Sequence, residues 1–188
     1  MEVMVGVLFV ITYLVTAAAF PVSGMFSSLF YWTVLYRLVL MSIFFVIFFI
    51  DLRHSVIPLS TIILAGVTVF LWTLVTAPSA LPLSFLTAVV SFLFFFMIHA
   101  VTKGRGMGFG DVLFAFVMGL LLGFPTAIVG IYIAFLTGSI LSLILILSKR
   151  KKLKSAIPFG PFLVFGTVSC LLWGQQLTNG FLTLLRII

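Results

Sequence analysis

Charged side chains, and acidic ones above all, are scarce in this sequence. Only 7% of its 188 residues are charged, and the acidic residues number three: Glu2, Asp51 and Asp111. Hydrophobic residues make up 64% of the chain. A water-soluble domain needs far more polar groups than this to cover its surface. The composition therefore excludes a soluble globular protein and predicts an integral membrane protein.

Cysteine is nearly absent as well, since Cys170 is the only one in the sequence. A single cysteine excludes an internal disulfide and any zinc site built from several cysteines. The sequence also lacks a His-Glu-x-x-His segment, which excludes the helical zinc-peptidase motif. We therefore expect neither a bound metal nor a cofactor.

Long apolar runs are what the sequence has in place of charge. Most are near the roughly 20 residues that a helix needs to cross a bilayer. They predict an all-α membrane protein, a polytopic bundle of about seven transmembrane helices in a single domain, residues 1–188. The fifth helix is short enough to be re-entrant or tilted, and the tail from residue 178 is too short to cross. The predicted helices span residues 3–20, 34–55, 58–76, 82–100, 110–124, 126–147 and 160–177.

The basic residues indicate how these helices are oriented. If the second helix ends inside the cell, most of the ten Lys and Arg residues are cytoplasmic. The positive-inside rule then places the amino terminus in the cytoplasm. This distribution explains the net charge of +7 by topology, so we expect the lipid bilayer, and no nucleic acid, as a partner. The basic residues on that side are Arg53, Lys103, Arg105, Lys149, Arg150, Lys151, Lys152 and Lys154.

Asp51 and Asp111 are notable because an aspartate in a membrane helix is costly. Insertion scales put that cost at roughly 2.5–3.5 kcal/mol, so the default hypothesis for such a residue is that it belongs to a functional site. Two predicted helices separate the acids, and two helices return the chain to the same membrane face. The sequence therefore predicts a paired-carboxylate site at the cytoplasmic face. The alternative for either acid alone is a helix cap or a salt bridge to Arg53, Lys103 or Arg105.

A carboxylate pair has the chemistry to hydrolyse a peptide bond. One group must be ionised to take a proton from water, and the other protonated to polarise the carbonyl group and serve the leaving amine. Two close carboxylates in a poorly solvated site share one proton, because ionising both is costly. The helix dipole favours the carboxylate at Asp111, which opens a helix, over Asp51, which lies near a helix end. We therefore expect Asp111 to be the base and Asp51 the acid.

Glycine occupies every second position before Asp111, in the segment GRGMGFGD of residues 104–111. Without Cβ atoms, this backbone can adopt unusual dihedral angles and let another chain approach closely. An extended substrate could bind to it by strand addition. The alternatives are a flexible turn and, less well matched, a phosphate-binding loop, which would need Lys-Ser/Thr after its glycines. The residues interpreted as a substrate-cleft loop are Gly106, Gly108, Phe109 and Gly110.

Three segments of the sequence resemble the type IV prepilin leader peptidases, GxGD-type aspartyl proteases of the bacterial inner membrane. They are IDLRHSVIP at residues 50–58, GMGFGDV at 106–112 and IPFGPF at 157–162. The resemblance covers roughly residues 35–175 and implies that Asp51 and Asp111 are the catalytic pair. It also implies a substrate class, namely prepilin or pseudopilin precursors with a short basic leader that is cut at the cytoplasmic face, just before an apolar helix.

The third segment has two interpretations. From its residues alone it is a rigid turn whose prolines start the last helix. The resemblance adds the expectation that it borders the cleft. The residues concerned are Ile157, Pro158, Phe159, Gly160 and Pro161.

The sequence departs from this family's pattern in two ways. Many bacterial members carry a cytoplasmic domain with two cysteine pairs and also methylate the new amino terminus with S-adenosylmethionine. This chain has no cysteine pair, so we expect a minimal peptidase without N-methylation. In addition, Leu59 follows the Ile-Pro of the first segment, where the family often has a polar residue. We expect that difference to affect substrate handling.

Other functions fit part of this pattern. A small cation-coupled transporter could use the same two acids, although transporter sites tend to lie mid-membrane between repeated halves, and no repeat is visible here. A non-catalytic assembly factor is a second alternative. Presenilin-like proteases share Gly-x-Gly-Asp but have Tyr-Asp where this chain has Ile50-Asp51.

His54 and His99 are expected to be interfacial. The sequence leaves the precursor and the oligomeric state open.

Overall fold

A computed structural model describes residues 2–19, 27–148 and 158–184 of the chain. These residues form seven α-helices, one short 3-10 helix at Pro78–Ala80 and no β-strand. The prediction of an all-α fold with about seven helices is therefore confirmed for the part of the chain that is described. The helices are α1 (Glu2–Ala19), α2 (Ser28–His54), α3 (Leu59–Thr76), α4 (Leu81–Val101), α5 (Phe109–Leu122), α6 (Thr126–Leu147) and α7 (Gly160–Leu184).

Within the described ranges, four segments are long and apolar enough to cross a membrane. They correspond to α2, α3, α6 and the combined 3-10 helix and α4, Pro78–Val101. Two shorter apolar helices, Val5–Ala19 and Phe109–Leu122, accompany them. The second of these is α5, and its shortness agrees with the sequence prediction. Among the described helices, several therefore meet the requirements of a multi-pass membrane protein.

Two predicted helix boundaries were wrong. Helix α2 begins at residue 28 rather than 34, because the Ser27 hydroxyl accepts a hydrogen bond from the Phe30 N–H (3.3 Å) and caps an earlier first turn. Helix α7 continues to Leu184, through a kink at Trp173 where φ is −125° and ψ is 29°. Its extension is fixed by a tertiary contact, since the buried Thr178 donates a hydrogen bond to Thr126 Oγ1 (3.3 Å).

The chain divides into two compact units, Met1–Val46 and Ile47–Ile188, with the boundary inside α2. In the first unit, α1 and the first part of α2 share polar as well as aromatic contacts. Arg37 donates a hydrogen bond to Thr16 Oγ1 (3.0 Å), and the rings of Tyr13 and Phe30 meet edge to face. The Arg37 charge therefore has a polar partner within its own unit.

In the second unit, α5 lies at the centre and packs against α3, α4, α6 and α7. Most of its residues are buried, including Val112, Phe114 and Met118. The approach of α4 is close enough that a Cβ atom at Gly119 would lie 2.7 Å from the Ala88 Cα atom. A helix enclosed on so many sides places its first turn, and with it Asp111, in the interior of this unit.

Candidate active site

Asp51 lies in the last turn of α2, at a well-defined helix end. Ser55 ends the helix in the left-handed region (φ 54°), and its N–H donates a 2.8 Å hydrogen bond to the Asp51 carbonyl oxygen. The Asp51 side chain is only 4% exposed. Its Oδ2 atom is buried without a hydrogen-bond partner among the described residues. Asp51 therefore presents a desolvated carboxyl oxygen to the interior.

Asp111 is the third residue of α5, and its carboxyl group has two different environments. Oδ2 accepts a hydrogen bond from the N–H of Gly108, the residue that caps the helix, at 3.1 Å. Oδ1 is buried and has no partner in the described part of the chain. The cap that the sequence offered as an alternative therefore exists, but it uses one oxygen and leaves the other available.

The two carboxyl groups lie close enough to interact electrostatically. Ile57, which follows the end of α2, is buried and contacts the backbone on both sides of the site. A Cβ atom at Gly110 would lie 3.0 Å from the Ile57 Cβ atom, and one at Gly160 would lie 3.0 Å from its Cδ1 atom. The structure thus brings α2, α5 and the start of α7 together around the two acids.

The salt-bridge alternative is not realised in the described residues. Neither aspartate forms an ion pair with Arg53, Lys103 or Arg105, although these residues lie near the acids in the sequence. No group of three or more His, Cys, Asp or Glu side chains within the described ranges is arranged to hold a metal ion.

Gly160 brings the backbone of α7 against the Asp51 carboxyl group. A Cβ atom at this position would lie 2.5 Å from Asp51 Oδ2 and 3.0 Å from its Cγ atom, closer than van der Waals contact allows. A larger residue here would therefore force the Asp51 carboxyl group to shift. This contact gives the third sequence segment a role that its prolines alone do not explain.

The other residues of the third sequence segment, 157–161, lie in different environments. Phe159 packs into an aromatic cluster, with ring centroids 5.0 Å from Phe135 and 6.2 Å from Phe95. Pro161 is buried in the first turn of α7, and Pro158 is half-buried. Ile157 lies outside the described residues. Of the four described residues of this segment, Gly160 is the one whose backbone touches an acid.

The conformation of the glycine segment, residues 104–111, depends mainly on contacts with residues nearby in the sequence. Gly104 adopts φ 75°, a left-handed conformation that favours glycine. A Cβ atom at Gly106 would lie 2.9 Å from Thr102 Cγ2, so the adjacent side chain already occupies that space. Gly108 and Phe109 are exposed, the latter by 48%. Binding of an extended substrate at this edge stays a prediction.

One residue near the site had no clear signal in the sequence. His99 Nδ1 lies 2.8 Å from the carbonyl oxygen of Met107, the residue immediately before the GxGD segment. The contact joins residues eight positions apart across a loop, and no helical or strand periodicity predicts it. From the sequence, His99 was expected only to be interfacial.

An apolar groove of about 430 Å³ lies beside Asp51, between α2, α6 and α7. It includes residues that flank Asp51 in the sequence and residues that follow Gly160. Nearly all of its surface is hydrocarbon. The lining residues are Phe48, Leu52, Thr137, Ile140, Leu141, Ile144, Pro161, Phe162 and Phe165.

Comparisons with known proteins agree on one family. Residues 38–143 match the model of the type IV leader peptidase family. The prepilin leader peptidase/N-methyltransferase of Pseudomonas aeruginosa is 33% identical over 88 residues, 47% of this chain and 30% of that protein. The protein of the same name from Aeromonas hydrophila is 32% identical over 83 residues, 44% of this chain and 29% of that protein.

The Bacillus subtilis protein of that name is 28% identical over 97 residues, 52% of this chain and 39% of its own length. The chain thus spans about a third of the length of the curated relatives it matches. No solved structure matches it significantly. The match to the family model covers more than half of the 188 residues and includes both Asp51 and Asp111. The chain therefore belongs to the type IV leader peptidase family.

Proposed function

We propose that this chain is a membrane aspartyl endopeptidase that removes the short basic leader from prepilin or pseudopilin precursors. Asp51 and Asp111 are the catalytic pair, and residues 1–188 act as one peptidase domain. One observation carries the proposal: two buried carboxyl groups from separate helices lie close enough to interact electrostatically, and each has an oxygen without a hydrogen-bond partner among the described residues. Buried polar atoms are normally hydrogen-bonded, so such a pair is suited to hold a water molecule or a peptide carbonyl group.

The reaction follows from the two acids. The ionised carboxylate takes a proton from water, whose oxygen attacks the peptide carbonyl carbon while the protonated acid donates to the carbonyl oxygen. The intermediate collapses when the C–N bond breaks: the leaving amine takes the proton that came from water, and a hydroxyl proton of the intermediate returns to the other carboxylate as the C=O bond re-forms, which leaves one proton on the pair as before. No covalent bond forms between protein and substrate in this sequence of steps.

The assignment of the base to Asp111 and the acid to Asp51 stays a prediction. It is based on the position of Asp111 in the first turn of α5 and on the N–H of Gly108, both of which favour a carboxylate. The backbone of Gly160 acts on Asp51 in the same direction, so the assignment depends on which of these effects is larger. A neutron structure would test it directly. A proton found on Asp111 in the resting protein would reverse the two roles.

The apolar groove beside Asp51 supports the substrate class. A precursor whose scissile bond lies just before an apolar helix needs a hydrocarbon surface next to the site, and the groove supplies one between α2, α6 and α7. We propose that the first turn of that helix occupies the groove, while the basic leader lies on the cytoplasmic side of the acids.

We place the protein in the bacterial cytoplasmic membrane with its amino terminus in the cytoplasm, on the strength of the basic residues in the loops. The proposed reaction ends at hydrolysis, without N-methylation. These 188 residues contain one cysteine and so cannot themselves form a domain with two cysteine pairs. The curated relatives carry both activities in their names.

Co-expression with a prepilin-type precursor tests the proposal. Mass measurement of the precursor's amino terminus should show loss of the basic leader and an unmethylated new terminus. The control is the same precursor with its residue before the cleavage site changed to proline, which should stay intact. A precursor left whole by the well-expressed protein would contradict the peptidase proposal, and a mass increase of one methyl group would contradict the absence of methylation.

A further inference from the structure

His99 is held on the glycine loop by its ring as well as by its backbone. Its Nδ1 atom lies 2.8 Å from the Met107 carbonyl oxygen. A carbonyl oxygen can only accept a hydrogen bond, so Nδ1 must carry the proton in this contact. The His99 carbonyl oxygen in turn accepts a 2.9 Å hydrogen bond from the Gly104 N–H. His99 thus contacts the loop at both its beginning and its middle.

The Met107 carbonyl group belongs to the same peptide unit as the Gly108 N–H. That N–H donates the 3.1 Å hydrogen bond to Asp111 Oδ2. In a trans peptide unit the C=O and N–H groups point in opposite directions, so this unit lies between His99 on one side and Asp111 on the other. Donation to the carbonyl oxygen also polarises the unit and strengthens its N–H as a donor.

Two further contacts fix the position of the imidazole ring. A Cβ atom at Gly104 would lie 3.3 Å from its Cε1 atom, so the ring lies directly over that glycine. The ring of Phe109 meets it edge to face, with centroids 5.8 Å apart. His99 is therefore packed against three parts of the loop that leads to Asp111.

We propose that His99 is a positioning residue for Asp111, acting through the Met107–Gly108 peptide unit. The imidazole Nδ1–H fixes the plane of this unit, and the unit directs its N–H at Asp111 Oδ2. This leaves Oδ1, which is buried and has no hydrogen-bond partner in the described part of the chain, as the oxygen available for the reaction. The geometry stands independently of the proposed peptidase activity, and its effect on cleavage rests on that activity.

The tautomer of His99 gives a test that requires neither a substrate nor a variant that disturbs the loop. Nitrogen NMR of the protein labelled at histidine, in alkaline solution where imidazole is neutral, distinguishes Nδ1–H from Nε2–H. The spectrum of His54→Leu, which removes the exposed second histidine, assigns the two signals. The Nδ1–H form is expected for His99. An Nε2–H form would overturn the proposal.

Two substitutions separate the hydrogen bond from the packing of the ring. His99→Phe keeps an aromatic ring against Phe109 but has no N–H, whereas His99→Asn loses the ring but keeps an amide donor close to the Nδ1 position. We expect kcat for precursor cleavage to fall roughly tenfold in His99→Phe, with KM within about threefold, and to recover in His99→Asn. A wild-type kcat in His99→Phe, or a loss in both variants with no recovery, would contradict the proposal.

Hydrogen exchange of the segment 104–111 separates failure of this inference from failure of the proposed function. Exchange at the Gly108 amide should be faster in His99→Phe than in the wild type and close to wild type in His99→Asn and His54→Leu. If the wild-type protein cleaves no precursor but the exchange pattern holds, the peptidase proposal fails and the positioning role stands. Unchanged exchange in a folded His99→Phe protein would reject the positioning role.

Discussion

At the scale of single residues, the two candidate acids stand out in the sequence and their surroundings do not. Asp51 and Asp111 are two of only three acidic residues in the chain, and their rarity in apolar sequence makes them candidates. The contacts that shape the site come from other segments. Gly160 approaches Asp51 through tertiary packing, Ile57 packs against Gly110 and Gly160, and His99 contacts Met107 across a loop of eight residues. Such contacts have no periodicity that a single sequence could reveal.

Gly160 offers a sharp test at this scale. In Gly160→Ala the new methyl group would overlap Asp51 Oδ2, so the carboxyl group must rotate away from its position. Displacement of a reacting group by about 1 Å can reduce a rate by about 100-fold, and we expect a loss of that order in precursor cleavage. The measurement is the cleavage rate at saturating precursor, together with the thermal midpoint of the variant.

Gly180→Ala is the matched control, because it lies on the same helix and a Cβ atom there meets nothing within 4 Å. Its cleavage rate should equal that of the wild type. Equal rates for both glycine variants would show that the approach of α7 to Asp51 does not constrain the site.

At the scale of elements, the hydrophobic runs predicted the helices well, and the errors occurred where local caps or distant contacts decide an end. The start of α2 depends on Ser27, and the end of α7 depends on the contact between Thr178 and Thr126. Gly119 and Gly123 form a small-xxx-small pair in the sequence, yet only Gly119 packs closely against a neighbouring helix. Gly123 ends α5 in a left-handed conformation (φ 62°). Spacing alone could not separate these two roles.

Gly119 should control the packing of α5 against α4. A Cβ atom there would lie 2.7 Å from Ala88 Cα and 2.8 Å from the Thr87 carbonyl oxygen, and backbone atoms cannot yield as a side chain can. We expect Gly119→Ala to lower the free energy of unfolding by about 1–3 kcal/mol, as overpacking usually does. Unfolding in detergent, followed by circular dichroism, measures the change.

Gly66→Ala serves as the comparison for this variant. Its Cβ atom would make an ordinary contact, 3.5 Å from Val117 Cγ2, and alanine favours a helix over glycine. Its stability should match or exceed that of the wild type. A Gly119→Ala protein as stable as Gly66→Ala would contradict this prediction. It would mean that α4 and α5 can move apart at little cost in free energy.

At the scale of the whole molecule, the distribution of charge predicts the orientation in the membrane. The loop that contains Arg105 joins α4 to α5 at the end of the molecule where both acids lie, and we expect it in the cytoplasm. Ser79 lies in the 3-10 helix at the other end of α4 and should face the opposite side. Both residues are exposed.

Labelling of single cysteines tests this orientation. In a Cys170→Ala background, a membrane-impermeant maleimide should label Arg105→Cys in inverted vesicles and Ser79→Cys in right-side-out vesicles. The Cys170→Ala protein without an introduced cysteine, treated with the same maleimide, is the control for background reaction. The reverse pattern would place the acids on the wrong side of the membrane for a leader that has not been translocated.

The claim that the two acids act as one hydrolytic site is tested most directly by the rate of precursor cleavage in Asp51→Asn and Asp111→Asn. Asparagine keeps the size of each side chain but can neither take nor give the required proton. General acid–base catalysis contributes about 100- to 10,000-fold to a rate, so each variant should lose about 1,000-fold or more while it keeps the wild-type circular dichroism spectrum. Cleavage at the wild-type rate by either folded variant would contradict the account.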